Sequence, residues 1–62
     1  MTTMKVQRAK RDLTQAELAT LADVTRKSIN AIEAGRMVPS VVLALRLAKA
    51  LQVPVEELFS LA

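Results

Sequence analysis

TQAELATLADVTRKSINAIEAG, residues Thr14 to Gly35, packs two helix starts and one helix stop into about a third of a 62-residue chain. Thr14-Gln15-Ala16-Glu17 is a capping box: the threonine hydroxyl and the glutamate carboxylate satisfy the first free backbone N–H groups of a helix. That helix is predicted to reach about Ala22, with Leu18 and Leu21 turned inward. Asp23 and Val24 then make a tight turn, and Thr25 caps a second helix that continues through Ile29 and Ile32 until Gly35 stops it. The large apolar positions, Leu18, Val24, Ile29 and Ile32, surround small Ala19 and Ala22. Two helices crossing at a steep angle need a small residue at closest approach, and Ala19 supplies it, so residues 15–34 read as a helix-turn-helix.

Apolar periodicity near 3.6 persists on both sides of this pair, and nothing alternates with period two, so the whole chain is predicted to be all-α with five helices. The first covers roughly Lys5 to Arg11 and ends near Asp12, a residue type that tolerates the left-handed conformation. Pro39-Ser40 closes the loop after Gly35, with Ser40 capping the fourth helix. Val42, Leu43, Leu45, Leu47, Ala48 and Leu51 are too many apolar residues for one narrow stripe, which predicts a central, buried helix. Gln52-Val53 turns the chain, Pro54 suits the start of a short fifth helix, and Val55, Leu58 and Phe59 pack it down. Residues 1–62 are expected to form a single domain, since a chain of this length builds one core.

Composition narrows the function. With neither cysteine nor histidine, disulfide frameworks, Cys/His zinc sites and Cys/His nucleophile chemistry are excluded. No nucleophile–base pair or glycine-rich phosphate loop is present, so the chain is not expected to be an enzyme, and no cofactor or metal is expected. Phe59 is the only aromatic residue, which disfavours single-strand or RNA binding by base stacking. Apolar runs fall far short of the ~20 residues that span a bilayer, and the expected location is cytoplasmic. The net charge of +3 sits in the first 36 residues, where Lys5, Arg8, Lys10, Arg11, Arg26, Lys27 and Arg36 outnumber Asp12, Glu17, Asp23 and Glu33. From residue 37 onward Arg46 and Lys49 balance Glu56 and Glu57. An apolar fraction of 52% suits efficient helix packing or self-association.

Arg8, Leu13-Thr14-Gln15, Glu17-Leu18-Ala19, Ser28-Ile29, Ile32-Glu33, Gly35, Pro39-Ser40, Leu47-Ala48-Lys49-Ala50-Leu51 and Glu57-Leu58-Phe59 together resemble the Xre family of phage-repressor and Cro-like helix-turn-helix domains. The resemblance covers about residues 5 to 60. It implies a compact five-helix, lambda-repressor-like DNA-binding fold, and it is strongest to the short stand-alone bacterial members that act as dimeric transcriptional regulators. Asp12, Asp23 and Gln52 stand where members of this family usually carry glycine. Aspartate is a plausible left-handed substitute, and Gln52 is the least suited of the three.

In this arrangement the third helix enters the major groove with its N-terminal residues against base edges. Thr25, Arg26, Lys27 and Ser28 occupy that first turn, with Asn30 one turn further on and Ala31 able to offer a methyl group to thymine. Arg26 can donate two hydrogen bonds to guanine O6 and N7 and is the expected specificity residue. Gln15, at the start of the second helix, is expected to bind a phosphate through its amide and the free N–H groups there, with Thr14 beside it. Lys10, Arg11 and Arg36 are the other phosphate candidates.

The resemblance further implies that Arg8 and Glu33 form a partly buried salt bridge between the first helix and the end of the third. Val41, Val42, Leu45, Phe59 and Leu61 do not all fit one small core and are the expected homodimer interface. A two-fold interface near the fourth and fifth helices implies a palindromic operator in double-stranded DNA, bound by a repressor. The alternative is a protein-interaction module, such as an antitoxin or anti-repressor, for which DNA contact is secondary.

Overall fold

The computed structural model describes residues 1–61, which form α1 (Met4–Lys10), α2 (Gln15–Ala22), α3 (Arg26–Glu33), α4 (Val41–Leu51) and α5 (Val55–Leu58). Three of these helices begin on side-chain caps. Thr14 Oγ1 accepts from the Glu17 N–H at 3.0 Å while Glu17 Oε1 accepts from the Thr14 N–H at 2.9 Å, completing the capping box of α2. Thr25 Oγ1 accepts from the Ser28 N–H at 3.1 Å to open α3, and Ser40 Oγ accepts from the Leu43 N–H at 3.1 Å to open α4. Each bond satisfies a donor that the helix itself cannot.

The ends are closed by residues with positive φ: Asp12 (54°), Asp23 (56°), Gly35 (79°) and Gln52 (56°). Gln52 therefore adopts the left-handed cap despite its unfavourable side chain. The backbone bonds that reward it run from Gln52 N–H to Lys49 O at 3.2 Å and from Val53 N–H to Ala48 O at 3.1 Å. These satisfy two carbonyls at the end of α4 that would otherwise be unpaired.

The core consists of Met4, Leu18, Ala19, Ala22, Ile29, Ile32, Leu47, Ala48, Leu51 and Leu58, with Leu13, Val24, Met37, Leu43 and Phe59 among the partly buried residues packed against it. Two sequence expectations are corrected here. Leu21 is 59% exposed rather than inward. The buried stripe of α2 is Leu18, Ala19 and Ala22, and at 100° per residue Leu21 lies roughly 100° from its centre. Nor is α4 buried all round. Leu47, Ala48 and Leu51 face the core, whereas Val41, Val42 and Leu45 lie on the outward side and are 77%, 59% and 53% exposed.

The chain ends are tied together in a way the sequence did not suggest. Thr2 and Phe59 form an antiparallel bridge. Thr3 N–H donates to Leu58 O at 3.0 Å, Ser60 N–H to Met1 O at 2.9 Å, and the Thr2 hydroxyl to Leu58 O at 2.8 Å. The pairing leads directly into α1, which begins at Met4 rather than Lys5, and Met4 is fully buried.

Thr14→Ala removes one half of the capping box on an exposed helix start and is expected to cost about 1 kcal/mol. In a domain of this size that corresponds to roughly 4–8 °C in melting temperature. Thermal unfolding followed by circular dichroism measures it; an unchanged midpoint would mean the cap contributes nothing.

Candidate nucleic-acid interface

The turn between α2 and α3 is closed by hydrogen bonds from Asp23 N–H to Thr20 O at 3.3 Å and from Val24 N–H to Ala19 O at 2.9 Å. Ala19 and Ala22 on α2, and Ile29 and Ile32 on α3, join one buried cluster. Burying that side of α3 leaves its other side to solvent. Arg26, Lys27 and Asn30 are exposed, while Ser28 and Ala31 are half-buried. Asn30 follows Arg26 by four residues and so shares its face, as Ala31 shares that of Lys27. Among the described residues the one ion pair is Arg8–Glu33, so Arg26 and Lys27 are not spent on intramolecular partners. The Thr25 hydroxyl is bound internally, donating to Ser28 Oγ at 3.0 Å.

Arg8 and Glu33 meet side-on. Arg8 Nε donates to Glu33 Oε2 at 2.8 Å, Arg8 Nη2 to Oε1 at 3.2 Å, and Arg8 Nη1 to the Leu13 carbonyl at 2.9 Å. The side chains are only 16% and 6% exposed. Burial alone would raise the Glu33 carboxyl, but hydrogen bonds from Arg8 and Gln15, with the positive charges of Arg8 and Lys5, outweigh it and hold the group below its ordinary range. The same hydrogen bond to Glu33 raises the Arg8 guanidinium against its own desolvation.

Gln15 has a partner the sequence reading did not give it. Its amide nitrogen donates to Glu33 Oε1 at 3.0 Å. The expectation that this amide is simply turned toward a phosphate is therefore amended: one of its N–H groups is committed to α3. A phosphate at this end of α2 is left with the second amide N–H and the backbone donors. The gain is rigidity, because Glu33 ties α1, the start of α2 and the end of α3 to one carboxylate.

Arg36 is similarly engaged. Beyond Gly35, Gly35 N–H donates to Ile32 O at 3.1 Å and Arg36 N–H to Ala31 O at 2.9 Å. These bonds form a Schellman motif that turns the chain back along α3. Arg36 Nη2 then donates to Asn30 Oδ1 at 2.9 Å. The glycine at 35 was a visible signal for this return, although the partner of Arg36 was not. Lys10 and Arg11, at the end of α1, and Thr14 are exposed.

Of the residues expected at a dimer interface, Val41, Val42, Leu45 and Leu61 are exposed and Phe59 is partly buried against the core. Beside them an open groove of about 710 Å³ runs between the α3–α4 loop, α4 and α5, lined by residues including Met37, Val38, Val41, Ala44, Val55 and Phe59.

Comparison with known proteins gives a consistent result. A helix-turn-helix family matches residues 4–58. An uncharacterized HTH-type transcriptional regulator of Methanothermobacter thermautotrophicus is 44% identical over 61 residues, covering 97% of this chain and 88% of its own. A second, from Methanocaldococcus jannaschii, is 43% identical over 56 residues, covering 90% and 85%. Among solved structures, the restriction-modification controller protein C.AhdI from Aeromonas hydrophila superposes with a TM-score of 0.86 at 34% identity, over 90% of this chain and 85% of that one. With the capped helix pair, the exposed basic start of α3 and a match spanning nearly the full length, the chain belongs to the Xre/Cro-like helix-turn-helix family of DNA-binding transcriptional regulators.

Proposed function

We propose that this protein is a sequence-specific repressor that binds a palindromic operator as a homodimer, laying α3 of each subunit in the major groove. The observation that carries the reading is the first turn of α3, where Arg26 and Lys27 project from a helix whose other side is locked into the core. Arg26 reads guanine, Lys27 and Asn30 contact neighbouring bases, and Lys10, Arg11 and the start of α2 supply phosphate contacts. The controller protein noted above is a regulator of a restriction-modification system by its description, which supports a regulatory role for a domain of this size. No helix among the described residues is long and apolar enough to cross a membrane, in keeping with a cytoplasmic regulator.

The homodimer is supported by the outward apolar side of α4, Val41, Val42 and Leu45, next to the apolar groove and Leu61. A two-fold contact there sets two recognition helices about one DNA turn, roughly 34 Å, apart. Selection from a random duplex library should return an inverted repeat with that spacing. In sedimentation at high micromolar concentration the protein should run as a dimer, and Leu45→Glu as a folded monomer with much weaker operator binding. A monomeric wild type that selects no sequence would favour the second reading, in which the same apolar surface binds another protein, as in an antitoxin or anti-repressor.

A further inference from the structure

Asn30, one turn into α3, and Arg36, just past its end, are both exposed, yet they are bonded to each other. The path of the backbone brings them together. The Schellman bonds of Gly35 and Arg36 fix where the chain leaves α3, and Gly35, at φ 79°, occupies a conformation that side-chain-bearing residues rarely adopt. Arg36 is thereby returned to the helix it has just left, within reach of the residue six positions earlier.

Chemistry fixes the orientation of the Asn30 amide. A guanidinium carries only donors, so the atom that meets Arg36 must be the asparagine oxygen, and the amide nitrogen with its two N–H groups is turned the other way. An unengaged asparagine pairs with adenine by accepting from N6 and donating to N7. Here a positive guanidinium sits 2.9 Å from the accepting atom, opposing the approach of a second donor such as adenine N6. With one of the oxygen's two lone pairs taken by a cation, the pair presents chiefly donors outward. Guanine, with O6 and N7 as adjacent acceptors and no donor on that edge, is the purine that complements them.

We propose that Arg36 is a positioning residue that sets the base preference of Asn30, converting a side chain suited to adenine into one that selects guanine. The proposal rests on α3 being the base-reading helix. It differs from an ordinary phosphate contact by Arg36, which would strengthen binding without changing which base is preferred.

The test is selection from random duplexes with wild type, Asn30→Ala, Arg36→Ala and Arg36→Lys. Both replaced side chains are on the surface, and circular dichroism melts verify that each variant is folded. The base pair read by Asn30 is the one whose preference Asn30→Ala relaxes. At that position wild type should enrich G·C, Arg36→Ala should shift the choice toward A·T by roughly tenfold, and Arg36→Lys, which also offers only donors, should keep G·C. The proposal is overturned if Arg36→Ala weakens binding to every sequence and leaves that preference unchanged. It is also overturned if wild type prefers A·T there, or if Asn30→Ala relaxes no position. Those results leave the DNA-reading role of α3 standing, whereas a wild type that enriches no sequence defeats both.

Discussion

Glu33→Ala should lower the melting temperature by at least about 10 °C, enough that much of the protein is unfolded at growth temperature if the wild type is only ordinarily stable. The reason is what the substitution leaves behind. Arg8, 16% exposed, loses a two-point partner, and the Gln15 amide loses its acceptor. Removing one side of a largely buried pair costs about 3–5 kcal/mol even where the intact pair contributes little net stability. Each kcal/mol corresponds to roughly 4–8 °C in a domain this small. Glu33→Gln keeps the shape and one acceptor and should fall between the two. A thermal melt of Glu33→Ala that matches wild type would remove the network from the account of stability.

The same carboxylate makes stability depend on pH in a defined direction. Its folded pKa lies below the ordinary value of 4.5, so the folded protein binds the proton less readily than the unfolded chain. Above about 4.5 both are ionised and the stabilisation is complete. It is lost as pH falls from there through the lower folded value. Glu33→Gln should flatten that acid loss, which urea titrations at pH 6 and at pH 3.5 would compare directly.

Arg26→Ala should reduce affinity for the selected operator by between about 5-fold and 150-fold per half-site. That is the range for losing a bidentate contact to guanine worth ~1–3 kcal/mol. Scrambled duplexes should be bound almost as before, with only the small loss from one phosphate-range charge. Base preference should relax at one position in each half-site. Competition titrations of both duplexes separate this from a purely electrostatic role, in which the two affinities would fall together. Because Arg26 is exposed and, among the described residues, in no ion pair, the variant should melt like wild type. Arg26 and Glu33 thus give opposite signatures, one altering recognition without stability and the other stability first.

Local signals in the sequence were enough for the helix pair and its caps. Thr14, Thr25 and Ser40 carry oxygens at helix starts, and the structure uses all three. Asp23 and Gly35 mark stops because few residues tolerate positive φ, and both adopt it. The apolar count on α4 pointed two ways in the sequence, to a helix buried all round and to an outward face, and the structure leaves Val41, Val42 and Leu45 outward. Periodicity tells how wide an apolar face is, and cannot tell whether the second side faces the core or, as with Val41, Val42 and Leu45, the solvent. The Thr2–Phe59 bridge was invisible because a single pairing between the two ends of the chain has no period to detect.

The interface shows the same division. The exposed place of Arg26 and Lys27 at the start of α3 was legible from the Thr25 cap, and the Arg8–Glu33 pairing from the family pattern. The bonds from Gln15 to Glu33 and from Arg36 to Asn30 were not. Each joins side chains whose meeting depends on the angle of one helix to another or on the path of a turn, which a one-dimensional pattern does not encode. Under the proposed DNA-binding function both bonds bear on recognition, since they decide which donors remain free.

The most direct measurement is a titration of the selected operator and of a scrambled duplex of equal length, each at two salt concentrations. If α3 reads bases, the operator should be bound at least about a thousandfold more tightly at the higher salt, where nonspecific contacts are weakest. Equal affinities for the two duplexes, falling with the same salt dependence, would show that the basic face holds only the phosphate backbone and would contradict sequence-specific recognition.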